Sequence, residues 1–291
     1  MTDQAISDTG PAPHRNAKGP LIYRQALVTR LTHWTWALCL FFLLLSGLNI
    51  FNARPQLYWG QESGFEYNNT FFRIGSERVD GKALGFTELW GMKFDTTGVL
   101  GLSGTRPDVR AFPRWATIPS YYDLGTARVV HFFFGWIFVA TMFVWFVWSF
   151  FSGHIRRDVI PKPKDLAELP RDVVEHATFR FKHGRSYGPL QKLAYFTVFF
   201  ILFPVIILTG LTMSPGMDAA WPWLLDLFGG RQTARSIHFI AMLLLVLFFI
   251  VHIVMVVLAG PLNELRSMIT GWYRASPGTP IDPAKGEKSN G

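Results

Sequence analysis

Ser236-Ile-His238-Phe-Ile-Ala-Met-Leu-Leu-Leu-Val-Leu-Phe-Phe-Ile-Val-His252-Ile-Val-Met-Val-Val-Leu-Ala-Gly-Pro-Leu-Asn263 runs without a single Asp, Glu, Lys or Arg. About 20 helical residues cross the hydrocarbon of a bilayer. A buried helix of a soluble domain rarely stays apolar on every face for that long. Three further charge-free runs, Leu31–Ala53, Val129–Ile155 and Leu193–Met217, have the same character. The expected fold is an all-α membrane protein, a bundle of four transmembrane helices.

Composition agrees. Of the 291 residues 49% are hydrophobic, 16% aromatic and 16% charged, against about 25% charged in an ordinary soluble domain. Disorder, collagen and disulfide scaffolds are excluded. One cysteine, Cys39, rules out a disulfide framework, a Cys-rich zinc site and a C-x-x-C-H haem attachment. The net charge of +8 suits either nucleic acid or a membrane face, and its position decides. Arg15, Lys18, Arg24 and Arg30 precede the first run, and eight Lys or Arg lie in segment 152–190 between the second and third runs. Only Arg231 and Arg235 lie between the third and fourth. Positive charge marks cytoplasmic loops, so both termini and segment 152–190 are expected in the cytoplasm of a multi-pass bacterial inner-membrane protein. The excess of charge needs no nucleic acid. The first 20 residues are polar and do not read as a cleaved signal peptide.

The expected organisation is a cytoplasmic tail over 1–20, a four-helix membrane domain over 21–274 and a disordered tail over 275–291. The long extracytoplasmic loop 52–128 contains nine basic and eight acidic residues and no histidine. A structureless loop of that length is uncommon, so it should fold as a cap, shield a cofactor or dock a partner.

Four of the eight histidines fall within the spans: His33, His131, His238 and His252. Ionisable residues at membrane depth are functional candidates, and imidazole is the commonest metal ligand. His238 and His252 are 14 positions apart on one helix, which puts them on one face and about 21 Å apart along the axis. With alternating span directions, His131 meets His238 near the outer face and His33 meets His252 near the inner one. Each level then receives two imidazoles from two helices, the ligand set of a six-coordinate haem iron. Gly47, 14 positions after His33, lies at the outer level, where a missing side chain would let a macrocycle edge pass or helices pack closely. Arg30, Arg128 and Arg235 each precede a histidine by three residues. Guanidinium is a natural partner for haem propionates, although charge beside a span also simply marks its boundary.

Arg30-Leu-Thr-His33-Trp, with His238 and His252 in the last span, resembles the dihaem cytochrome b membrane subunits of formate dehydrogenase, nickel–iron hydrogenase and thiosulfate reductase. Tyr58-Trp59-Gly60, Leu124-Gly-Thr-Ala-Arg128-Val-Val-His131-Phe-Phe-Phe and Gly229-Gly-Arg-Gln-Thr-Ala-Arg235-Ser-Ile-His238-Phe look closest to the thiosulfate-reductase-type branch. The resemblance spans about 21–274. It implies two b haems and electron transfer between a periplasmic, molybdopterin-dependent oxidoreductase and membrane quinone (menaquinone or ubiquinone). It also implies a quinone site at the cytoplasmic entry of the third span. The formate dehydrogenase subunits carry a Tyr-Asn-x-x-Gln-Lys-like string there. This chain has Tyr187-Gly188-Pro-Leu-Gln191-Lys192, with glycine in place of asparagine.

The function read from the chain is therefore that of an electron-transfer subunit, with quinone chemistry as its only catalysis. The rivals are a transporter whose histidines relay protons and a plain membrane anchor. Transporters commonly show repeats or broken helices, and here Pro204 alone interrupts a helix centre.

Overall fold

The computed structural model describes residues 19–104, 108–177 and 188–275. Most of both expected tails, and Tyr187, lie outside these residues. Among the described residues four helices have the length and apolarity to cross a membrane: Leu27–Asn52, Leu124–Phe151, Pro189–Thr212 and Arg231–Ala259. They are referred to below as the first to fourth spans. Only 11% of the most apolar window of the fourth span is buried, and Leu243, Leu247, Phe249 and Ile250 are exposed along it. A soluble protein would bury such a surface; a bilayer covers it.

The spans pack through an aromatic core of Trp36, Phe138, Met142, Trp145, Val198, Leu202, Phe203 and Leu245, with Cys39 among them. Trp145 stacks on Phe199 at 4.4 Å, and the Trp36 indole donates to the Thr141 hydroxyl at 3.0 Å. The third span is not a uniform α-helix. Val198–Leu202 widens into a π-helical turn, in which the N–H of Phe203 reaches the Val198 carbonyl five residues back. Pro204 follows with no N–H to donate, and a π turn is one of the few ways a helix absorbs that gap without ending.

The chain is not all-α. The described residues form eight strands: β1 (Leu21–Tyr23), β2 (Gln56–Tyr58), β3 (Thr70–Val79), β4 (Lys82–Leu89), β5 (Met92–Asp95), β6 (Gly101–Ser103), β7 (Asp108–Arg110) and β8 (Trp272–Arg274). The segment between the first two spans builds an antiparallel sheet in the order β2-β3-β4-β5 and a second hairpin, β6-β7. The reason is local. Thr70–Val79 carries the strand formers Thr70, Phe71, Phe72, Ile74 and Val79, and Asp80-Gly81 joins it to Lys82–Leu89 with both residues at positive φ. That is the two-residue turn whose twist matches a hairpin.

This cap seats on the first and fourth spans. Phe51 and Phe239 stack at 4.5 Å, and with Leu57, Phe71, Ile74 and Ala111 they form a second buried cluster. The Gly60 carbonyl accepts from the N–H groups of Gln232 and Thr233 at 3.1 Å each, satisfying free donors of the fourth span's first turn. The Ser236 hydroxyl donates to the Tyr58 carbonyl at 2.7 Å. On the first span, the Asn49 amide donates to the carbonyls of Pro119 (2.7 Å) and Tyr121 (3.0 Å).

The residues up to Arg30 and from Val256 onward form a separate compact unit. In it β1 and β8 pair antiparallel, and Arg24 lies 3.7 Å from Glu264.

Candidate functional site

The structure sets the four intramembrane histidines in two facing pairs. The rings of His131 (second span) and His238 (fourth span) have centres 6.4 Å apart and an interplanar angle of 58°. Those of His33 (first span) and His252 (fourth span) are 6.3 Å apart at 56°. Since the cap seats at the start of the fourth span, His131 and His238 are the cap-side pair and His33 and His252 the distal pair.

That spacing fits one kind of occupant. Bonds of about 2.0 Å from imidazole nitrogen to a metal, with each ring centre about 1 Å beyond its nitrogen, put two opposed imidazoles on one ion about 6 Å apart between centres. Among the described residues no group of three or more His, Cys, Asp or Glu side chains is placed to hold a metal. Two protein ligands alone leave an iron in need of an equatorial ligand set, and a porphyrin supplies four nitrogens.

The surroundings of the two pairs differ. Nδ1 of His131 is 3.1 Å from the Ser46 hydroxyl, and Nδ1 of His238 is 3.1 Å from the Thr209 hydroxyl. A Cβ on Gly47 would lie 3.2 Å from Cε1 of His131, and one on Gly210 would lie 3.3 Å from Cε1 of His238. Both glycines thus make room for an imidazole. For Gly47 the neighbour is the His131 ring itself. In the distal pair Phe248 stacks against His252 at 6.0 Å, and Nδ1 of His33 is buried without a hydrogen-bond partner among the described residues.

The three arginines stand in different settings. Arg235 donates to the cap carbonyls of Gln56, at 2.9 Å, and Arg54, and its guanidinium lies over the Phe51 ring. It clamps the cap to the fourth span. Arg30, in the terminal unit, donates to the Ile269 carbonyl at 2.6 Å; its Nε is buried without a partner among the described residues. Arg128 is exposed near the start of the second span.

Of the expected quinone string, Tyr187 lies outside the described residues. Gln191 donates to the Tyr195 hydroxyl at 2.8 Å. Lys192 is buried, and its ammonium donates to both carboxylate oxygens of Asp165 at 3.0 Å. The Lys162 N–H donates to the same carboxylate at 2.8 Å. That backbone bond first, and the Lys192 ammonium after it, hold the Asp165 carboxyl below its ordinary value against the opposing effect of burial. His154, at the end of the second span, faces the rings of Trp145 and Trp148 at 6.2 and 5.6 Å.

Sequence reasoning missed Ser46, Thr209, Gly210 and Asp165. A signal for three of them was present: a hydroxyl residue followed directly by glycine, Ser46-Gly47 and Thr209-Gly210, occurs once in the first span and once in the third. Asp165 carried none, because an acidic residue in a polar helix is ordinarily solvated.

The family model described as prokaryotic cytochrome b561 matches residues 24–271. A protein of Azospira oryzae described as a protein-methionine-sulfoxide reductase subunit, YedZ1, is 32% identical over 151 residues, covering 51% of this chain and 72% of its own. A Ni/Fe-hydrogenase B-type cytochrome subunit of Cupriavidus necator is 24% identical over 51% of this chain and 68% of its own. The corresponding subunit of Azotobacter vinelandii is 25% identical over 52% and 70%. No solved structure matches.

Proposed function

This chain belongs to the prokaryotic cytochrome b561 family and is a multi-pass membrane b-type cytochrome of electron transfer, and we propose that it holds two haems, one on each histidine pair, and links an oxidoreductase outside the membrane to quinone. The carrying observation is the pair of imidazole separations, 6.4 and 6.3 Å, repeated at two levels of one bundle. A b haem supplies reversible one-electron chemistry when bound. His131 and His238 would ligate the cap-side haem, and His33 and His252 the distal one. The aromatic core between them excludes water, which keeps the reorganisation around a changing charge small.

Orientation follows from the basic residues around 152–190. The distal pair lies toward the cytoplasm and the cap toward the periplasm of a bacterial inner membrane. Arg128, exposed beside the cap-side pair, suits a propionate partner. The same role for Arg30 rests on its three-residue spacing to His33. Arg235, spent largely on cap carbonyls, acts chiefly as the clamp.

The cap presents the partner face. Trp90, Met92 and Phe94 on and beside β5 are exposed, and aromatic residues and methionine are enriched at protein interfaces. Relatives named as subunits of a reductase and of a hydrogenase support a partner enzyme, and a molybdopterin-dependent one fits the thiosulfate-reductase-type strings. Quinone would bind at the start of the third span, near Tyr187, Gln191 and Lys192. The Lys192 ammonium, paired with Asp165, is the proton-bearing group there, and Gln191 is a polar contact already oriented by Tyr195.

The test is the haem count of the purified protein with its reduced-minus-oxidised spectrum. Two b-type haems per chain are expected. A protein that binds no haem would return the reading to a histidine-relay transporter or a bare anchor.

A further inference from the structure

Ser46 on the first span and Thr209 on the third stand in the same relation to the two cap-side histidines. Each hydroxyl has one proton, and each already gives it away at 2.6 Å: Ser46 to the Phe42 carbonyl, Thr209 to the Val205 carbonyl. A hydroxyl whose proton is committed can only accept. The ring nitrogen 3.1 Å away must therefore be the donor in both cases. The network assigns the tautomer: Nδ1 carries the hydrogen, and Nε2 bears the free lone pair. Ser46 and Thr209 are both 0% exposed, so water does not compete for either bond.

The distal pair has no such support on the first span, where Nδ1 of His33 is buried and unpartnered among the described residues. The difference between the pairs is thus chemical as well as positional. An acceptor on the far nitrogen of a ligating imidazole fixes its ring and raises its basicity. A more basic ligand favours the more highly charged state of the metal it holds.

We propose that Ser46 and Thr209 are positioning residues that hold both cap-side imidazoles through Nδ1 and lower the reduction potential of the cap-side haem below the value the same ligands would set unaided. The assignment rests on His131 and His238 being a haem ligand pair. It goes beyond that reading by giving the two haems different electronic settings, so that electrons entering at the cap are passed on toward the distal pair.

The experiment is a redox titration of both haems by visible spectroscopy in purified wild-type protein and in S46A, T209V, T209S and the S46A/T209V double variant. The cap-side potential should rise in S46A and T209V and rise further in the double variant. It should stay at the wild-type value in T209S, which keeps the acceptor, and the distal potential should not move in any of them. Should T209V lose the cap-side haem altogether, its retention in T209S at wild-type potential supports the same role, and its loss there too overturns it. An unmoved cap-side potential in the double variant, or equal shifts in both haems, also overturns it. Failure of the underlying reading looks different: H131A and H238A would then keep the full haem content of wild type.

Discussion

Lys192 and Asp165 meet across 27 positions of sequence, with both carboxylate oxygens 3.0 Å from one ammonium and both side chains largely buried. The pair ties the helix Pro163–Ala177 to the first turn of the third span. Removing one partner leaves the other buried and uncompensated, a cost of about 1–3 kcal/mol for a pair that is not fully desolvated. K192M and D165A are each expected to lower the thermal midpoint in detergent, and the K192M/D165L double variant to recover part of the loss. Each single variant should also slow haem oxidation by quinone while leaving both haem spectra unchanged. Wild-type kinetics in both would move the quinone site elsewhere, with His154 the next residue to test.

The same pair has a pH signature. The Asp165 carboxyl is held below its ordinary value by the Lys162 N–H and by Lys192. A carboxyl depressed in the folded state stabilises fully above the unfolded value, about pH 4, and loses that contribution as pH falls through the depressed one. Wild-type protein should therefore be more stable than D165N at neutral pH, with the gap closing in acid below about pH 4. Melting curves of the two proteins at a series of pH values check the sign; a gap that widened in acid would contradict it.

Ligand pairing is testable haem by haem. H131A and H238A should each remove the same cap-side haem, and H33A and H252A the same distal haem, leaving about half the wild-type content in every case. Difference spectra and haem-to-protein ratios distinguish this outcome from loss that crosses the pairs, as would follow if His33 and His131 shared an iron.

Space beside the cap-side imidazoles is equally specific. A Cβ at Gly47 or Gly210 would lie 3.2 or 3.3 Å from the ring it faces, close enough that the neighbour must shift by a few tenths of an ångström. G47A and G210A should weaken cap-side haem retention, and G47V and G210V should abolish it, with the distal haem kept. Haem content after gel filtration reads this out. Equal loss of both haems would show instead that these glycines serve the bundle as a whole.

The length of the charge-free runs determined the spans, because no other environment tolerates apolar side chains on all faces of a helix that long. The depth of the four histidines followed from residue counts, since helix rise and span direction are regular. These inferences needed no tertiary contact. The cap was different. Its strands are short, its pairing joins Gln56–Tyr58 to Thr70–Val79 with a register shift between Leu57 and Tyr58, and composition alone marked it only as too long to be structureless. Asp165 was silent in sequence, and Ser46 and Thr209 were marked only by the glycine that follows each, because their meaning is a distance. A hydroxyl in a spanning helix ordinarily bonds its own carbonyl four residues back, as both do here. Only the approach of a second helix, allowed by the glycine that follows each, brings an imidazole to the remaining lone pair. Arg235 makes the same point. Its spacing from His238 suggested a propionate partner, and the folded cap brought two carbonyls to its guanidinium first.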